Sequence, residues 1–214
     1  MPRTAILFDL DGTLVDSARD IAAALTRLSR ERGGDAVAAA TVRPLVSLGA
    51  SALVARALGP VAGDAEEDMA GFRALLRDAP SDPAIVFPGV EGTLAALTGA
   101  GWQLAVVTNK PCSLATALLG THRLDRFFAA VVGGDTAPRQ KPDPAPLRYA
   151  LAALGAAPTG ALFVGDSGVD AAAAAALAIP LLLYTGGYGA DEVSGEAARF
   201  DQFTALPALA ETFR

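Results

Sequence analysis

Two short acidic runs, Asp9-Leu-Asp-Gly-Thr13 and Gly165-Asp-Ser-Gly-Val-Asp170, lie far apart in the chain, and each follows an apolar stretch. If folding brings Asp9, Asp11, Asp166 and Asp170 together, the cluster is costly unless a cation sits among them or some are protonated. The donors are hard carboxylate oxygens with no supporting Cys or His, which points to Mg²⁺ rather than Zn²⁺. Mg²⁺ keeps several waters and takes one or two carboxylates, so not all four acids need be ligands. A rigidly held carboxylate can attack phosphorus and form an acyl-phosphate that water then cleaves. Asp9, at the tip of its apolar stretch, suits that attack. Asp11 could protonate the departing oxygen and then take a proton from the attacking water, a division that needs two acids in unlike environments. Gly12 lets the backbone turn tightly beside them.

Two further runs, Thr108-Asn109-Lys110 and Lys141-Pro-Asp-Pro144, supply what a phosphoryl group needs. Thr108 and Asn109 are expected at the phosphate, where Thr108 can donate a hydrogen bond and the following helix N-terminus adds N–H groups. Lys141 would neutralise charge on the transferring oxygens. Of seventeen basic residues only Lys110 and Lys141 are lysine. A chain that otherwise uses Arg can reserve Lys for places that need a compact point charge. Singly, each run has a plainer reading: an Asx turn at a strand end, a helix cap through Ser167 or Asp166, a rigid Pro-rich loop.

The elements that would carry these runs alternate. Apolar segments 4–9, 103–108, 129–133, 161–165 and 181–185 read as buried strands, and 91–100, 113–119, 145–154 and 169–177 as helices between them. Alternation of this kind implies a parallel sheet covered on both faces. In such a sheet the carboxyl ends of the strands form the ligand crevice, so the equipped turns converge there. The alternation fails between about 16 and 88, where only helices are expected, at 18–31, 41–46, 50–58 and 65–78, separated by Gly33-Gly34, Gly59-Pro60 and Pro80-Ser-Asp-Pro83. This reads as an inserted helical bundle, dividing the chain into a core of residues 1–15 and 89–214 and an insertion of 16–88. The alternative is a long connection packed on the sheet. The Ala171–Ala176 run is good helix former and packs closely against a sheet.

A net charge of −6 and a pI of about 4.7 leave no surplus positive charge for nucleic acid or anionic membranes. No apolar run is long enough to cross a bilayer, and Asp9 and Asp11 cut the first one short of a signal-peptide core. Cys112 is the only cysteine, so no intrachain disulfide can form. A cytoplasmic protein, monomeric or homodimeric, is expected. Arg43 and Arg56 in the insertion are candidates to meet a substrate carboxylate. His122, the only histidine, reads as a helix C-terminal charge or plain surface.

In order and across nearly the whole chain, the four runs resemble the signature motifs of the haloacid dehalogenase-like hydrolase superfamily. The resemblance implies a Rossmann-like α/β core with an α-helical cap that closes over the crevice. It implies Asp9 as nucleophile, Asp11 as acid/base, Thr108 and Lys141 on phosphate, and Asp170 in support. Mg²⁺ would be held by Asp9, the main-chain carbonyl of Asp11, and Asp166. Asp11 is absent from the dehalogenases, and the phosphonate-cleaving relatives need a cap lysine that this insertion lacks, so a phosphatase is implied. Asp16-Ser17, the segment 43–50, Gly133-Gly-Asp-Thr136 and Lys141-Pro-Asp-Pro-Ala-Pro146 resemble bacterial phosphoglycolate phosphatases, although Ser47 stands where many of them carry glycine. The implied partner is a small phosphorylated metabolite. Hydrolases of sugar phosphates, amino-sugar phosphates and pyrophosphate share much of the pattern, as do phosphomutases. A non-catalytic phosphometabolite-binding protein is the reading from a different class.

Overall fold

The computed structural model describes residues 4–78 and 82–214. Six parallel strands form one sheet: β1 (Ala5–Phe8), β2 (Gln103–Val107), β3 (Ala130–Val132), β4 (Ala161–Gly165), β5 (Leu181–Tyr184) and β6 (Ala198–Phe200), in the order β3-β2-β1-β4-β5-β6. β1 lies between β2 and β4, with Phe8 in register with Val106 on one side and Val164 on the other. The chain therefore builds outward first to one side of β1 and then to the other. The strand ends flanking this switch leave a crevice.

The strands are short and apolar throughout because both faces are covered. Ile6, Phe8, Val106, Val164 and Leu182 point into one layer, which is filled by α5 (Val90–Gly99), α6 (Cys112–Thr121) and α9 (Leu206–Glu211). Ala5, Leu7, Ala105, Phe163 and Leu183 point into the other, filled by α7 (Ala145–Leu154) and α8 (Gly168–Ala175). Neighbours in sequence take opposite faces, as the two-residue period of a strand requires. Ala173 and Ala174 are the α8 residues buried in that layer, so the alanine run brings the helix close to the sheet.

The remaining helices, α1 (Ala18–Glu31), α2 (Ala39–Val46), α3 (Ala50–Leu58) and α4 (Ala65–Asp78), enclose an apolar cluster of their own. Ile21, Leu25 and Leu28 of α1 recur at helical spacing and meet Val42, Leu53, Val54, Met69 and Phe72 there. The chain enters and leaves this bundle side by side: Asp16 N–H donates to the Ile85 carbonyl at 2.7 Å, and Phe87 N–H to that of Leu14 at 3.1 Å. Of the expected break at Pro80-Ser-Asp-Pro83, Pro80 and Ser81 lie outside the described residues.

β6 and α9 were not expected from the sequence. The strand has three residues and the helix six, with Pro207 in its first turn, so neither shows a period long enough to detect. Packing holds them. Phe203, between the two, is fully buried, with ring centroids 4.8 Å from Tyr184 and 5.5 Å from Phe200. Phe203→Ala should destabilise by about 3–5 kcal/mol, read as a lower urea midpoint at unchanged slope; an unmoved midpoint would show that this edge is not part of the cooperative core.

Candidate active site

The four runs meet at the carboxyl ends of β1, β2 and β4. Asp9 follows β1 directly, and its N–H donates to the Val164 carbonyl at 2.9 Å, fixing the residue just beyond the strand. Gly12, at φ +88°, completes the turn that sends the chain into the bundle; a Cβ there would come within 2.5 Å of Asp166 Oδ2. Thr13 Oγ donates to Asp166 Oδ1 at 2.9 Å and so joins the first run to the last.

Lys141 lies at the centre. Its ammonium is 2.8 Å from Asp9 Oδ1 and 2.7 Å from Asp170 Oδ1, and all three groups are buried. Asp170 has a second task at the start of α8, where its Oδ2 accepts from Ser167 Oγ at 2.7 Å and from Ser167 N–H at 3.2 Å. Ser167 is the N-cap residue, and Asp170 serves the helix start with one carboxylate oxygen and Lys141 with the other. Asn109 brackets the loop bearing Lys141: its Nδ2 donates to the carbonyls of Lys141 and Ser47, each at 2.9 Å, and its Oδ1 accepts from Lys141 N–H at 2.9 Å. Both amide hydrogens are used. The Asn109 side chain is thus occupied in holding the two loops, and its main-chain N–H is what remains to face an anion at the position expected for phosphate. Ser47 enters through its carbonyl, a contact any residue there could make.

Carboxylates of Asp9, Asp166 and Asp170 offer oxygens within 4.8 Å of one another. Burial, together with Asp170 and Asp166 nearby, pushes the Asp9 carboxyl well above the usual range despite Lys141. Burial and then Asp170 push Asp166 up to about 7. For Lys141, burial opposes the charge, but Asp170 and Asp9 outweigh it and hold the ammonium protonated. With Asp11 and its partner Lys110 included, four carboxyl groups face two ammonium groups, so full ionisation of the cluster would leave two negative charges, the charge that one divalent cation balances. The donor set is all oxygen, and each Asp166 oxygen has one donor, from Thr13 or from Tyr188 N–H at 2.7 Å, leaving a lone pair for a metal. These residues fit Mg²⁺. Asp170 Oδ2 is already saturated by donors, which makes Asp170 a support for Lys141.

Three residues that sequence reasoning did not assign to the site also belong to it. Lys110 Nζ lies 2.9 and 3.0 Å from the two Asp11 oxygens, and Ser17 Oγ donates to Asp11 Oδ1. The scarcity of lysine was the signal for Lys110. Tyr188 donates its hydroxyl to Asp16 Oδ1 at 2.8 Å and its N–H to Asp166, tying the acidic cluster to the first residue of the insertion. Burial, then Asp11 and Asp16, push its phenol pKa up, so it stays a donor. Arg43 pairs with Asp16 at 3.0 Å and lies over the Tyr188 ring at 5.9 Å, and Arg56 is exposed, so neither cap arginine is free in the crevice.

The crevice at Asp9 has a volume of about 240 Å³ and is lined by Thr108, Lys141 and Asp170. It shares Asp11, Val46, Asn109 and Lys110 with a second hollow of about 320 Å³ under the helical bundle. That hollow is walled by Ile21, Leu53, Phe72, Leu76 and Leu114, and Asp11 and Lys110 are the only charged residues on its lining. Both lie at the lower end of the range for ligand pockets.

The family model for haloacid dehalogenase-like hydrolases matches residues 6–183. A phosphoglycolate phosphatase of Cupriavidus necator is 42% identical over 216 residues, covering 98% of this chain and 94% of that protein. Among solved structures, a predicted phosphoglycolate phosphatase from Haemophilus somnus superposes with a TM-score of 0.83 at 29% identity, covering 97% of both chains. CbbY from Rhodobacter sphaeroides, solved in complex with phosphate, gives 0.82 at 26% identity, covering 95% of this chain and 96% of that one. Sheet order, acidic cluster and sequence likeness agree: the chain belongs to the haloacid dehalogenase-like hydrolase family and resembles the bacterial phosphoglycolate phosphatases within it.

Proposed function

We propose that the protein is a Mg²⁺-dependent phosphatase that hydrolyses 2-phosphoglycolate through an aspartyl-phosphate on Asp9. In this reading residues 1–15 and 89–214 are the catalytic core and 16–88 the cap. The observation that carries it is the buried Lys141 ammonium held between Asp9 and Asp170 beside Asp166. Two of its three hydrogens are engaged by carboxylates, and the third is left for a phosphoryl oxygen. The names of relatives such as the Cupriavidus necator enzyme support the substrate. So does the small apolar hollow beyond Asp11, since a sugar would bring hydroxyl groups that such walls leave unpaired, at a cost of about 1–3 kcal/mol each.

Asp9 attacks phosphorus, and the bond from phosphorus to the ester oxygen breaks as the bond to Asp9 forms. Asp11, which must enter this step protonated while Asp9 is ionised, gives its proton to the departing alkoxide. It then takes a proton from the water that attacks phosphorus, and phosphate leaves with Asp9 restored. Lys110 and Ser17 hold the Asp11 carboxylate at its place beside the leaving group. Lys141 and Thr108 stabilise the transferring oxygens. Asp9, Asp166 and the main-chain carbonyl of Asp11 would hold Mg²⁺, which when bound supplies charge neutralisation and polarises a phosphoryl oxygen.

Phosphate release from 2-phosphoglycolate tests the reading and separates hydrolysis from transfer to a second sugar. Chelation of divalent ions should abolish release, and Mg²⁺ should restore it. Asp9→Asn should lower kcat by about 10³-fold or more; a variant that keeps its rate would show that Asp9 is not the nucleophile. A Cβ on Gly187 would lie 2.3 Å from Asp166 Cβ and 2.5 Å from the Gly12 carbonyl. Gly187→Ala should therefore raise the Mg²⁺ concentration for half-maximal activity about 10- to 100-fold with unchanged far-UV circular dichroism. An unaltered Mg²⁺ requirement would remove Asp166 from the ligand set.

A further inference from the structure

Lys110 holds a position that its contact with Asp11 does not fully explain. It is nearly buried, and among the described residues its ammonium ion-pairs with Asp11 alone. Lys141, by contrast, is fixed between two carboxylates and held by Asn109. Lys110 also lines three hollows that share walls: the crevice at Asp9, the apolar hollow beneath the bundle, and an outer one of about 560 Å³ running between α1, α4 and α6. It is the one residue that lines all three.

A phosphoester with its phosphorus at Asp9 and its leaving oxygen toward Asp11 must lay the rest of its leaving group in the middle hollow. A carboxylate placed there without a partner would be strongly disfavoured by the apolar walls. The Asn109 side chain cannot receive it, because both of its amide hydrogens are engaged, and its main-chain N–H carries no charge to offset a carboxylate. Arg43 is bound to Asp16, and Arg56 does not line the hollow. One cation remains. Building on the phosphatase reading, we propose that Lys110 is a specificity residue that receives the carboxylate of a short carboxylated phosphomonoester, exchanging part of its ion pair with Asp11 for one with the substrate. A charge-assisted contact of this kind, formed away from bulk water, is among the stronger polar contacts.

The test compares 2-phosphoglycolate with ethyl phosphate, a two-carbon ester that lacks the carboxylate. The wild-type enzyme with Mg²⁺ should prefer 2-phosphoglycolate in kcat/KM. In Lys110→Met that preference should fall about 10- to 100-fold, mainly through KM for 2-phosphoglycolate, whatever loss the two substrates share through Asp11. Lys110→Arg should retain part of the preference. Should Lys110→Met turn over too slowly, calorimetric binding of both esters to Asp9→Asn and to Asp9→Asn/Lys110→Met reads the same ratio. An equal loss on both esters would overturn the proposal and reduce Lys110 to a support for Asp11. Wild-type enzyme that hydrolyses both esters equally would also overturn it while leaving the phosphatase standing. Turnover of neither ester would instead overturn the phosphatase reading itself.

Discussion

Excess negative charge buried at the ends of parallel strands is the constraint around which this structure is arranged. Asp9 and Asp166 end two adjacent strands, and Asp170 sits one turn into the helix that follows the second. No chain would hold these carboxylates out of water without compensation, and Lys141 supplies only part of it. The rest of the local architecture keeps that partial compensation in place. Asn109 pins the lysine's loop, Asp170 spends one oxygen on the lysine and the other on capping α8, and Thr13 and Tyr188 each donate to Asp166. Loss of any one donor leaves a buried charge less well paired, a far larger penalty than the pair's own net worth. The remaining deficit makes the site receptive to a divalent cation and, with it, to an anionic substrate.

The sheet explains why residues more than a hundred positions apart can share one ion. Parallel pairing brings all the carboxyl ends to one edge, and the switch in strand order at β1 separates the flanking connections to open a crevice there. This also accounts for how much was legible beforehand. The strands and helices carrying the motifs are apolar, alternate regularly and end in Asp, Gly or Asn turns, so their type and order follow from pattern alone. Asp9 and Asp166 directly follow such an element and Asp170 sits in the first turn of one, whereas Lys141, in the loop between β3 and α7, stands out by the rarity of lysine.

What was hidden depends on side-chain direction and on packing across the fold. Lys110 stood out by rarity, yet nothing in a sequence says that its ammonium turns back to Asp11. The amide of Asn109 is taken up by two loops far from it in the chain, a duty that its neighbours in sequence do not announce. Tyr188 lies in a Gly-rich loop after β5, which reads as a mere turn. Those glycines instead allow close approach to Asp166, since a side chain at 187 would displace it. Arg43 carried the right chemistry for a carboxylate, but Asp16 of this chain takes it first. β6 and α9 are too short to show a period and exist through the aromatic contacts of Phe200 and Phe203.

Tyr188 has a consequence for how the two parts of the molecule act together. Its main chain holds Asp166, and its hydroxyl holds Asp16 and accepts from Ala18 N–H at 3.2 Å, at the entry to α1. The second connection, at Ile85 and Phe87, is hydrogen-bonded beside the first, so the two chain crossings between bundle and core run as a pair. The hollow beyond Asp11 takes Ile21, Leu53 and Phe72 from the bundle and Asn109, Lys110 and Leu114 from the core. Neither part encloses it alone. Placement of the bundle thus decides whether a dry, small pocket exists next to Asp11, and the residue that fixes the crossing also touches an acid of the cluster. A physical chain of contacts therefore runs from Asp16, at the entry to the bundle, through Tyr188 to Asp166, so the seating of the bundle is tied directly to the acidic cluster.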